Sequence, residues 1–418
     1  MQPNLPATPA GDRPPTGGAT APAAAAPAPR GAVRETERSL APDLARGAVL
    51  LFIALANVST YLYGRDLEPG SRPVGGTLLD NGLDFLVTVL VDRRSYPMFA
   101  LLFGYGMVQL TRRQLANGTA WPTVRRLLLR RQVGLLLFGA LHTFLLFHGD
   151  ILGPYGATGL IVLLLFRRSR KVLLWWTSIS LVLLTALFGL LGSSSTPANT
   201  PTGGYLSLAL TRLLEWGVNT GIVTVLLGLV GPMLIGVLMA RAELLDRPTD
   251  HITTLRRLVS WAIPIGILGG IPFGLAVAGW WEPAVPLALA SAALHTLSGV
   301  AAGVGYAALF GLWAAARTGR GRSGPVAVLA ACGQRSLTCY LWQSVLFAPL
   351  LAAWGLGLGN WLPTTLGYLL AVLVWASGLV IAWLLARSGN RGPAETALRR
   401  ITYGRPTRRP DHPAPAHN

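Results

Sequence analysis

A histidine and an aspartate stand close together at the end of a long apolar segment. The segment runs from Arg130 to Tyr155, and His148-Gly149-Asp150 interrupts its apolar residues. An imidazole can act as a general base near neutral pH, and a carboxylate can orient it and stabilise its cation. The pattern favours a catalytic site with His148 as base and Asp150 as its partner. The alternative is a polar turn within a helical hairpin, with no chemistry of its own.

The first apolar segment carries a second set of polar residues. Arg46 and Asn57 are separated by about three helical turns and share one face, and Asp43 stands where it can pair with Arg46. One interpretation is a polar stripe facing the interior of a helix bundle, with Arg46 holding an anion near the cytoplasmic side. The other is a helix cap, a snorkelling arginine and a hydrogen bond between helices.

A third polar stripe lies in the segment GQRSLTCYLWQSV. Ser336, Tyr340 and Gln343 fall on one helix face, and Arg335 precedes them. These side chains either line a substrate path or make hydrogen bonds between helices, each of about 0.6–2 kcal/mol.

The remaining titratable residues in apolar segments have weaker patterns. Tyr155 either joins His148 and Asp150 or belongs to an interfacial aromatic belt. His142 lies six residues before His148 on a different helix face, so we expect it to be a hydrogen-bonded packing residue, and His295 is left open. The arginine pairs at 112–113, 125–126 and 130–131 are expected to set topology, with phosphate binding to an acyl donor as the sharper alternative.

The amino-acid composition indicates which class of protein holds these residues in place. Of the 418 residues, 52% are hydrophobic and only 12% are charged, whereas soluble domains carry about 25% charged residues. The mean hydropathy is +0.49. The net charge of +18 is spread in short clusters between apolar runs, which is typical of cytoplasmic loops of membrane proteins and does not indicate nucleic-acid binding.

The apolar runs predict an all-α polytopic bundle of about ten transmembrane helices. The expected spans are about 44–63, 96–110, 132–148, 151–166, 172–191, 216–240, 258–280, 284–316, 336–356 and 364–386. The seventh is expected to be broken by Pro264 and Pro272, and short helices are expected at 82–91 and 325–332.

The distribution of Lys and Arg predicts the orientation of the chain in the membrane. With both termini in the cytoplasm, 30 of the 35 Lys and Arg residues lie on the cytoplasmic side. The five on the other side are Arg65, Arg72, Arg93, Arg94 and Arg212. His148-Gly149-Asp150 is then expected at the extracytoplasmic surface.

The sequence predicts three regions along the chain. Residues 1–40, rich in Ala and Pro, and residues 405–418 are expected to be disordered tails. Residues 41–404 form the expected membrane domain, with a carboxy-terminal core at about 241–404. Motifs for ATP or zinc chemistry are not seen, and no bound cofactor is expected.

Five motifs in order resemble a known family. PDLARG with LANV, FALLFGYG, LHTFLLFHGDIL, GQRSLTCYLWQS and GPAETALRRITYG together resemble the YeiB-like bacterial membrane proteins, over about residues 38–404. That family is similar to membrane acyltransferases of the heparan glucosaminide acetyltransferase type, which share an Asp-x-x-Arg-Gly start of the first helix and use a non-cytoplasmic histidine. The resemblance implies an acyltransferase-like fold, in which Asp43, Arg46, Gly47 and Asn57 match the first-helix motif.

The expected function combines these observations. We expect a multi-pass protein of the bacterial cytoplasmic membrane that moves an acyl group, such as acetyl, from a cytoplasmic donor such as acyl-CoA to an extracytoplasmic small-molecule or glycan acceptor. His148 and Asp150 would be catalytic, and Arg46 and Arg335 would bind the donor. The alternative is a transporter or exporter in which Tyr340, Gln343 and the first-helix stripe line the path.

Overall fold

The computed structural model describes residues 39–68, 70, 72–191, 204–226, 228–320 and 322–404. Both predicted tails lie outside these ranges, apart from residues 39 and 40. The first half of the described chain forms α1 (Leu40–Val58), α2 (Leu78–Leu90), α3 (Ser95–Ala116), α4 (Trp121–Leu145), α5 (Leu152–Leu165), α6 (Arg170–Leu191) and α7 (Tyr205–Val225). The second half forms α8 (Val230–Arg241), α9 (Ile252–Val277), α10 (Val285–Ala315), α11 (Gly324–Gln334), α12 (Ser336–Leu351), α13 (Thr364–Arg387) and α14 (Pro393–Tyr403).

The helices are those of a polytopic membrane protein, which confirms the predicted fold class. Within the described ranges, five helical segments can cross a membrane by length and composition: Leu40–Tyr61, Arg170–Leu190, Pro248–Val277, Val285–Ala315 and Thr364–Arg387. The shorter helices α5, α8, α11 and α12 are also apolar. Each of the ten expected spans overlaps a helix of the structure.

Two expected spans that contain proline differ from the structure. The sixth is divided into α7 and α8, and Pro232 stands in the first turn of α8, where its missing N–H leaves no bond unmade. The seventh is not broken: α9 runs through both Pro264 and Pro272. None of these three prolines ends a helix, since Pro232 lies in a first turn and Pro264 and Pro272 lie inside α9.

Two helices begin earlier than the apolar pattern predicts. α4 starts at Trp121, with Pro122 in its first turn, because the arginine-rich stretch before the apolar run is also helical. α2 starts at Leu78, because the Thr77 hydroxyl and the Asp80 carboxylate form a capping box across its first turn.

Glycines let helices near the candidate site pack closely. A side chain at Gly104 of α3 would collide with the carbonyl of Met233 on α8, and one at Gly47 of α1 would collide with the carbonyl of Leu329 on α11. Small residues at such crossings allow backbones to touch. These contacts hold α1 and α3 in the middle of the bundle.

A buried charge network fixes the connection between α1 and α3. There β1 (Leu67–Glu68) pairs antiparallel with β2 (Arg72–Pro73). Arg72 makes ion pairs with Asp84 (3.1 Å) and Asp92 (2.7 Å), and Tyr368 of α13 donates to Asp84 (2.6 Å). This network joins the α1–α3 connection to α13. It lies at the end of the bundle that the charge pattern predicts to be extracytoplasmic.

At the opposite end, α14 closes the bundle. Its Glu395 carboxylate accepts hydrogen bonds from the backbone N–H groups of Leu337 (2.7 Å) and Thr338 (3.0 Å). These donors belong to the first turn of α12, so Glu395 caps that helix from outside it. Through this cap, α14 is fixed beside the start of α12.

Candidate functional site

A buried histidine–aspartate pair lies at the junction of α4 and α5. His142 Nδ1 is 2.8 Å from Asp150 Oδ1, and each residue is only 3% exposed. The second Asp150 oxygen accepts from the Gly153 N–H (2.9 Å) and from the Trp216 indole N–H of α7 (3.2 Å). The carboxylate is therefore held by three donors.

The ring nitrogen of His142 that does not face Asp150 is the group of this pair that can accept a proton. Within the described part of the chain, His142 Nε2 is buried and has no hydrogen-bond partner. If Nδ1 carries the proton donated to Asp150, Nε2 has a lone pair available to accept a proton. A carboxylate that fixes the tautomer and a free Nε2 are the two features of a histidine base.

The structure does not form the expected pair between His148 and Asp150. The carbonyl of His142 accepts the N–H groups of both Leu146 and Phe147, so α4 ends at Leu145 and the chain turns back on itself. The turn carries Asp150 back to His142, one turn from the end of α4. His148 is left exposed beside the ring of Phe147.

A cavity lies next to this pair, between α1, α3, α4, α5, α12 and α14. Its polar lining comprises Arg46, Arg131, Tyr155, Ser336 and Tyr340, and its apolar walls include Phe99, Phe103, Leu135, Leu152 and Leu398. Three of the residues expected to form a site, Arg46, Tyr155 and Tyr340, therefore meet here.

Tyr340 connects the cavity to the histidine. Its ring lies edge-on to the His142 ring, with 5.3 Å between centroids, and its hydroxyl accepts the N–H of Ile151 (3.3 Å). Tyr155 stacks between Phe99 and Phe103 and donates to the carbonyl of Tyr96 (2.7 Å). The two tyrosines form the end of the cavity that faces the His142–Asp150 pair.

Two guanidinium groups lie at the other end of the cavity. Arg46 donates to the carbonyl of Leu102 (3.1 Å) and lies 3.6 Å from Asp43, which accepts from Gln334 (3.0 Å). Arg131 lies over the ring of Phe103, 5.5 Å from its centroid. Among the described residues, no carboxylate comes within ion-pair distance of Arg131, so this end of the cavity favours an anion.

The other expected site residues lie away from the cavity lining. Gln343 donates to the carbonyl of Leu50 (2.9 Å) and joins α12 to α1. Arg335 donates through Nε (3.1 Å) and a terminal nitrogen (2.6 Å) to the carbonyl of Asn390, in the loop before α14. Asn57 stands in the last turns of α1, where its carbonyl accepts from the Thr60 hydroxyl (2.7 Å). The contacts of Gln343 and Arg335 join separate elements, which is the second interpretation given above, whereas the contact at Asn57 is local to the end of α1.

His295 belongs to a different cluster. Arg94 lies 2.7 Å from its Nδ1, and Phe273 stacks on its ring at 4.8 Å. An imidazole that accepts from an arginine must be neutral at that nitrogen. His295 therefore holds α10 to the loop before α3.

Two residues of the site were not expected from the sequence: His142 as base and Trp216 as a partner of Asp150. Arg131 was expected to bind phosphate only as the alternative to a topology signal. A sequence signal that links His142 to Arg131 was present. Arg131, Leu135 and His142 are spaced by four and seven residues, so they share one face of a continuous helix. Because the expected span began at Gln132, Arg131 lay outside it and the shared helix face was not recognised. Trp216 comes from α7 and has no local signal.

Residues 239–405 match the family model "Protein of unknown function (DUF418)". The YeiB protein of Escherichia coli (strain K12) is 27% identical over 391 residues, which cover 88% of this chain and 96% of that protein. The chain is thus similar to YeiB over nearly its whole length.

Two further relatives match a smaller part. The YxaH protein of Bacillus subtilis (strain 168) is 33% identical over 152 residues, which cover 35% of this chain and 36% of YxaH. A 39.9 kDa protein encoded in the amylase 3′ region of Bacillus acidopullulyticus is 31% identical over 146 residues, covering 35% of this chain and 39% of that protein. Each of these matches spans little more than a third of the relative's length.

The DUF418 match covers only part of the candidate site. It includes α9 to α14 and thus the residues that α12 and α14 contribute to the cavity, among them Tyr340 and Leu398. Arg46, Arg131 and the His142–Asp150 pair lie before the matched residues. The site is therefore built jointly by the matched region and by the helices that precede it.

Proposed function

We propose that this protein is an acyltransferase of the bacterial cytoplasmic membrane. It would move a short acyl group, such as acetyl, from a cytoplasmic thioester to an acceptor on the extracytoplasmic side. One observation carries the proposal: Tyr340 touches the buried His142–Asp150 pair and also lines the cavity that contains Arg46 and Arg131. A base next to an anion-binding cavity is what such a reaction requires. The resemblance to membrane acyltransferases supports the same reaction class.

In the proposed reaction, an acceptor hydroxyl or amine attacks the carbonyl carbon of the thioester. Nε2 of His142 takes the acceptor's proton as the new bond to carbon forms. The carbon–sulfur bond then breaks, and His142 returns the proton to the thiolate. Asp150 keeps Nδ1–H directed toward itself and stabilises the imidazolium while it exists. The reaction balances without an oxidant or a metal ion.

The cavity size favours a short acyl group. Its volume is about 70 Å³. Since about 10–15 Å³ of such space is enough to hold one water, the cavity has room for a small group such as acetyl. The larger part of the donor would stay at the inner mouth, where Arg131 is available to its phosphates. This arrangement supports Arg46 and Arg131, in place of Arg46 and Arg335, as donor ligands.

Substitutions of His142 and His148 test the proposed role of His142. The purified protein in proteoliposomes would receive labelled acetyl-CoA and a panel of sugars and amines. His142→Gln is expected to lower the transfer rate by about 10²–10⁴, the usual contribution of a general base. His148→Gln, six residues away on the exposed turn, is the matched control and is expected to transfer at the wild-type rate.

Two outcomes would contradict the proposal. Transfer that persists in His142→Gln, or that is lost in His148→Gln, would remove His142 from the role of base. Passage of a labelled compound across the liposome membrane without any covalent change would instead favour transport.

A further inference from the structure

His142 is in contact with two aromatic rings, and only one of them belongs to the cavity. The ring of Tyr340, which lines the cavity, meets the imidazole edge-on with 5.3 Å between centroids. The ring of Phe147 lies 6.1 Å from the imidazole and is not part of the cavity lining. If the donor reaches His142 through the cavity, the Phe147 side is left for the approach of the acceptor.

The ring of Phe147 lies between His142 and the exposed turn that joins α4 to α5. The side chain is only 1% exposed, whereas the next two residues, His148 and Gly149, are exposed. A Cβ at Gly149 would lie 2.6 Å from the tip of the Phe147 ring. The ring therefore lies directly beneath the turn and covers the imidazole from that side.

Phe147 also stacks on Tyr61, whose hydroxyl is buried without a partner. The two rings are 4.9 Å apart and 18° from parallel. Tyr61 is 7% exposed, and none of the described residues forms a hydrogen bond with its hydroxyl; Ser344 of α12 lies beside it but outside hydrogen-bonding geometry. Phe147 thus contacts two rings, those of Tyr61 and His142, that each carry a buried polar atom with no partner. Leaving such an atom unpaired costs about 1–3 kcal/mol, so a ligand that pairs with both would be stabilised here.

Helix α12 sets the distance between the two rings. Tyr340 and Phe347 are seven residues apart on one face of the helix, a separation of about 10 Å along its axis. Tyr340 contacts the His142 ring, and Phe347 packs against the Tyr61 ring with 5.7 Å between centroids. One six-membered ring, that of Phe147, already bridges this distance. A second ring of similar size therefore fits in its place.

From this geometry we infer that the ring of Phe147 occupies the binding site of the acceptor, and that the acceptor is a neutral sugar or polyol. This inference rests on the proposed acyl transfer. The acceptor takes the place of the ring once the ring has turned out from beneath the turn. Its attacking hydroxyl donates to Nε2 of His142, and another of its hydroxyls pairs with the hydroxyl of Tyr61.

The charge near Tyr61 favours a hydroxyl compound over an amine. Arg212 of α7 lies close enough to act electrostatically on the Tyr61 hydroxyl. It is held there by donating to the carbonyls of Thr143 and Phe144 at the end of α4. The Asp150 carboxylate is taken up by its own three donors. An ammonium group would be repelled by Arg212, whereas a neutral hydroxyl is not.

Diethyl pyrocarbonate, which acylates accessible neutral imidazoles, tests the place of Phe147 without any acyl transfer. The detergent-purified protein would be treated with the reagent, and the modified histidines would be located by mass spectrometry of its peptides. In the wild type, His148 on the exposed turn should react and His142 should be protected. In Phe147→Ala, His142 should react about tenfold faster or more, because the ring no longer covers it, and His148 should react as before.

Gly149→Ala opens the same place with every side chain of the site retained. Its methyl group would meet the tip of the Phe147 ring and push the ring aside. His142 should react faster in this variant too, so the test stays decisive if Phe147→Ala fails to fold. Gly217→Ala, at an exposed position of α7 where the methyl group meets no neighbouring residue within 4 Å, is the matched control and should react as the wild type does.

Tyr61→Phe tests the second contact of the acceptor. The variant keeps the ring that stacks on Phe147 and loses only the hydroxyl. It should raise KM for neutral sugars and polyols about 2- to 12-fold, the effect of one hydrogen bond, and leave KM for acetyl-CoA unchanged. Steady-state kinetics in proteoliposomes measures both constants. Each neutral sugar should also be a better acceptor than the corresponding amino sugar.

The outcomes separate this inference from the proposed function. The inference is overturned if His142 reacts as fast as His148 in the wild type, or stays protected in both Phe147→Ala and Gly149→Ala. It is also overturned, while acyl transfer stands, if Tyr61→Phe leaves the acceptor KM unchanged or if amino sugars are preferred. A wild type that acylates no compound of the panel contradicts the proposed function and removes the acceptor with it, even where His142 is uncovered as expected.

Discussion

Neighbouring arginines on α4 have different surroundings. The guanidinium of Arg131 lines the cavity, whereas Arg130 is exposed on the other side of the helix. Of the paired arginines interpreted from sequence as topology signals, only the second of this pair reaches the cavity. The pair therefore offers two substitutions of equal charge with different expected results.

We predict that Arg131→Gln weakens donor binding. Losing a charged hydrogen bond costs about 1.5–3 kcal/mol, so KM for an acyl-CoA should rise about 10- to 150-fold while kcat changes little. Steady-state kinetics with varied donor measures both constants. Arg130→Gln should leave KM unchanged. Equal effects of the two substitutions would show that only net charge matters.

Polar residue types predicted part of the site, and local geometry decided the rest. Asp150, Arg46, Tyr155 and Tyr340 were expected because polar groups at membrane depth are rare. The choice of His142 over His148 depended on where α4 ends. That end is set by hydrogen bonds to the carbonyl of His142, which the order of residues does not reveal.

Among the elements, α14 has the clearest effect on the site. It is short, and its apolar pattern is too brief to have been counted among the expected spans. Its Leu398 lines the cavity, and its Glu395 caps the first turn of α12, which contributes Leu337 to the same cavity. The position of the cavity wall thus depends on one carboxylate.

We predict that Glu395→Ala loosens this end of the bundle. Loss of a helix cap costs about 0.5–2 kcal/mol, and the freed N–H groups of Leu337 and Thr338 should exchange with solvent faster. Hydrogen–deuterium exchange of peptides that cover α12 measures this change. Arg400→Gln, an exposed substitution on α14, is the control. Unchanged exchange in Glu395→Ala would mean that packing alone fixes α14.

Helices were predicted better than their boundaries. Long apolar runs identified the positions of α1, α9, α10 and α13, because length and hydropathy act locally. Helix α7 ends at Val225, before Pro232 is reached, while α9 runs through two prolines unbroken. Tertiary packing, which the sequence shows only indirectly, decided between these outcomes.

At the scale of the whole molecule, the network around Arg72 joins distant parts of the chain. One guanidinium faces two carboxylates, so it can neutralise only one of them. Burial raises the pKa of Asp84 to about 6, although Arg72 and the Tyr368 hydroxyl lower it. Burial also raises the pKa of Asp92, against the effect of Arg72. For Asp80, hydrogen bonds from Thr365 and Thr77 outweigh burial and bring the pKa to about 2.

This network predicts how stability varies with pH. The pKa of Asp84 in the unfolded chain is about 3.9, so folding favours its neutral form. The resulting stabilisation, about 2–3 kcal/mol, is complete below about pH 4 and is lost as the pH rises through about 6. The wild type should therefore melt a few degrees lower at pH 7.5 than at pH 5.

Thermal unfolding of the detergent-purified protein across this range measures the effect. In Asp84→Asn the difference between pH 5 and pH 7.5 should become smaller, since the amide does not titrate and only Asp92 remains to contribute. Asp66→Asn, at an exposed position in the same connection, should keep the wild-type difference. If Asp84→Asn keeps it as well, the titrating group lies elsewhere.

Some helices are short or carry several charges, and this has a consequence for how the protein enters the membrane. Helix α5, at 14 residues, and α12, at 16, are shorter than the roughly 20 residues that a helix needs to cross a bilayer alone, and α4 carries four arginines. During synthesis, α4 and α5 would have to enter the membrane as a hairpin, joined by the His142–Asp150 bond. Tyr340 emerges from the ribosome almost two hundred residues later. The cavity is therefore among the last parts of the protein to be completed, after most of the surrounding helices are already in the lipid.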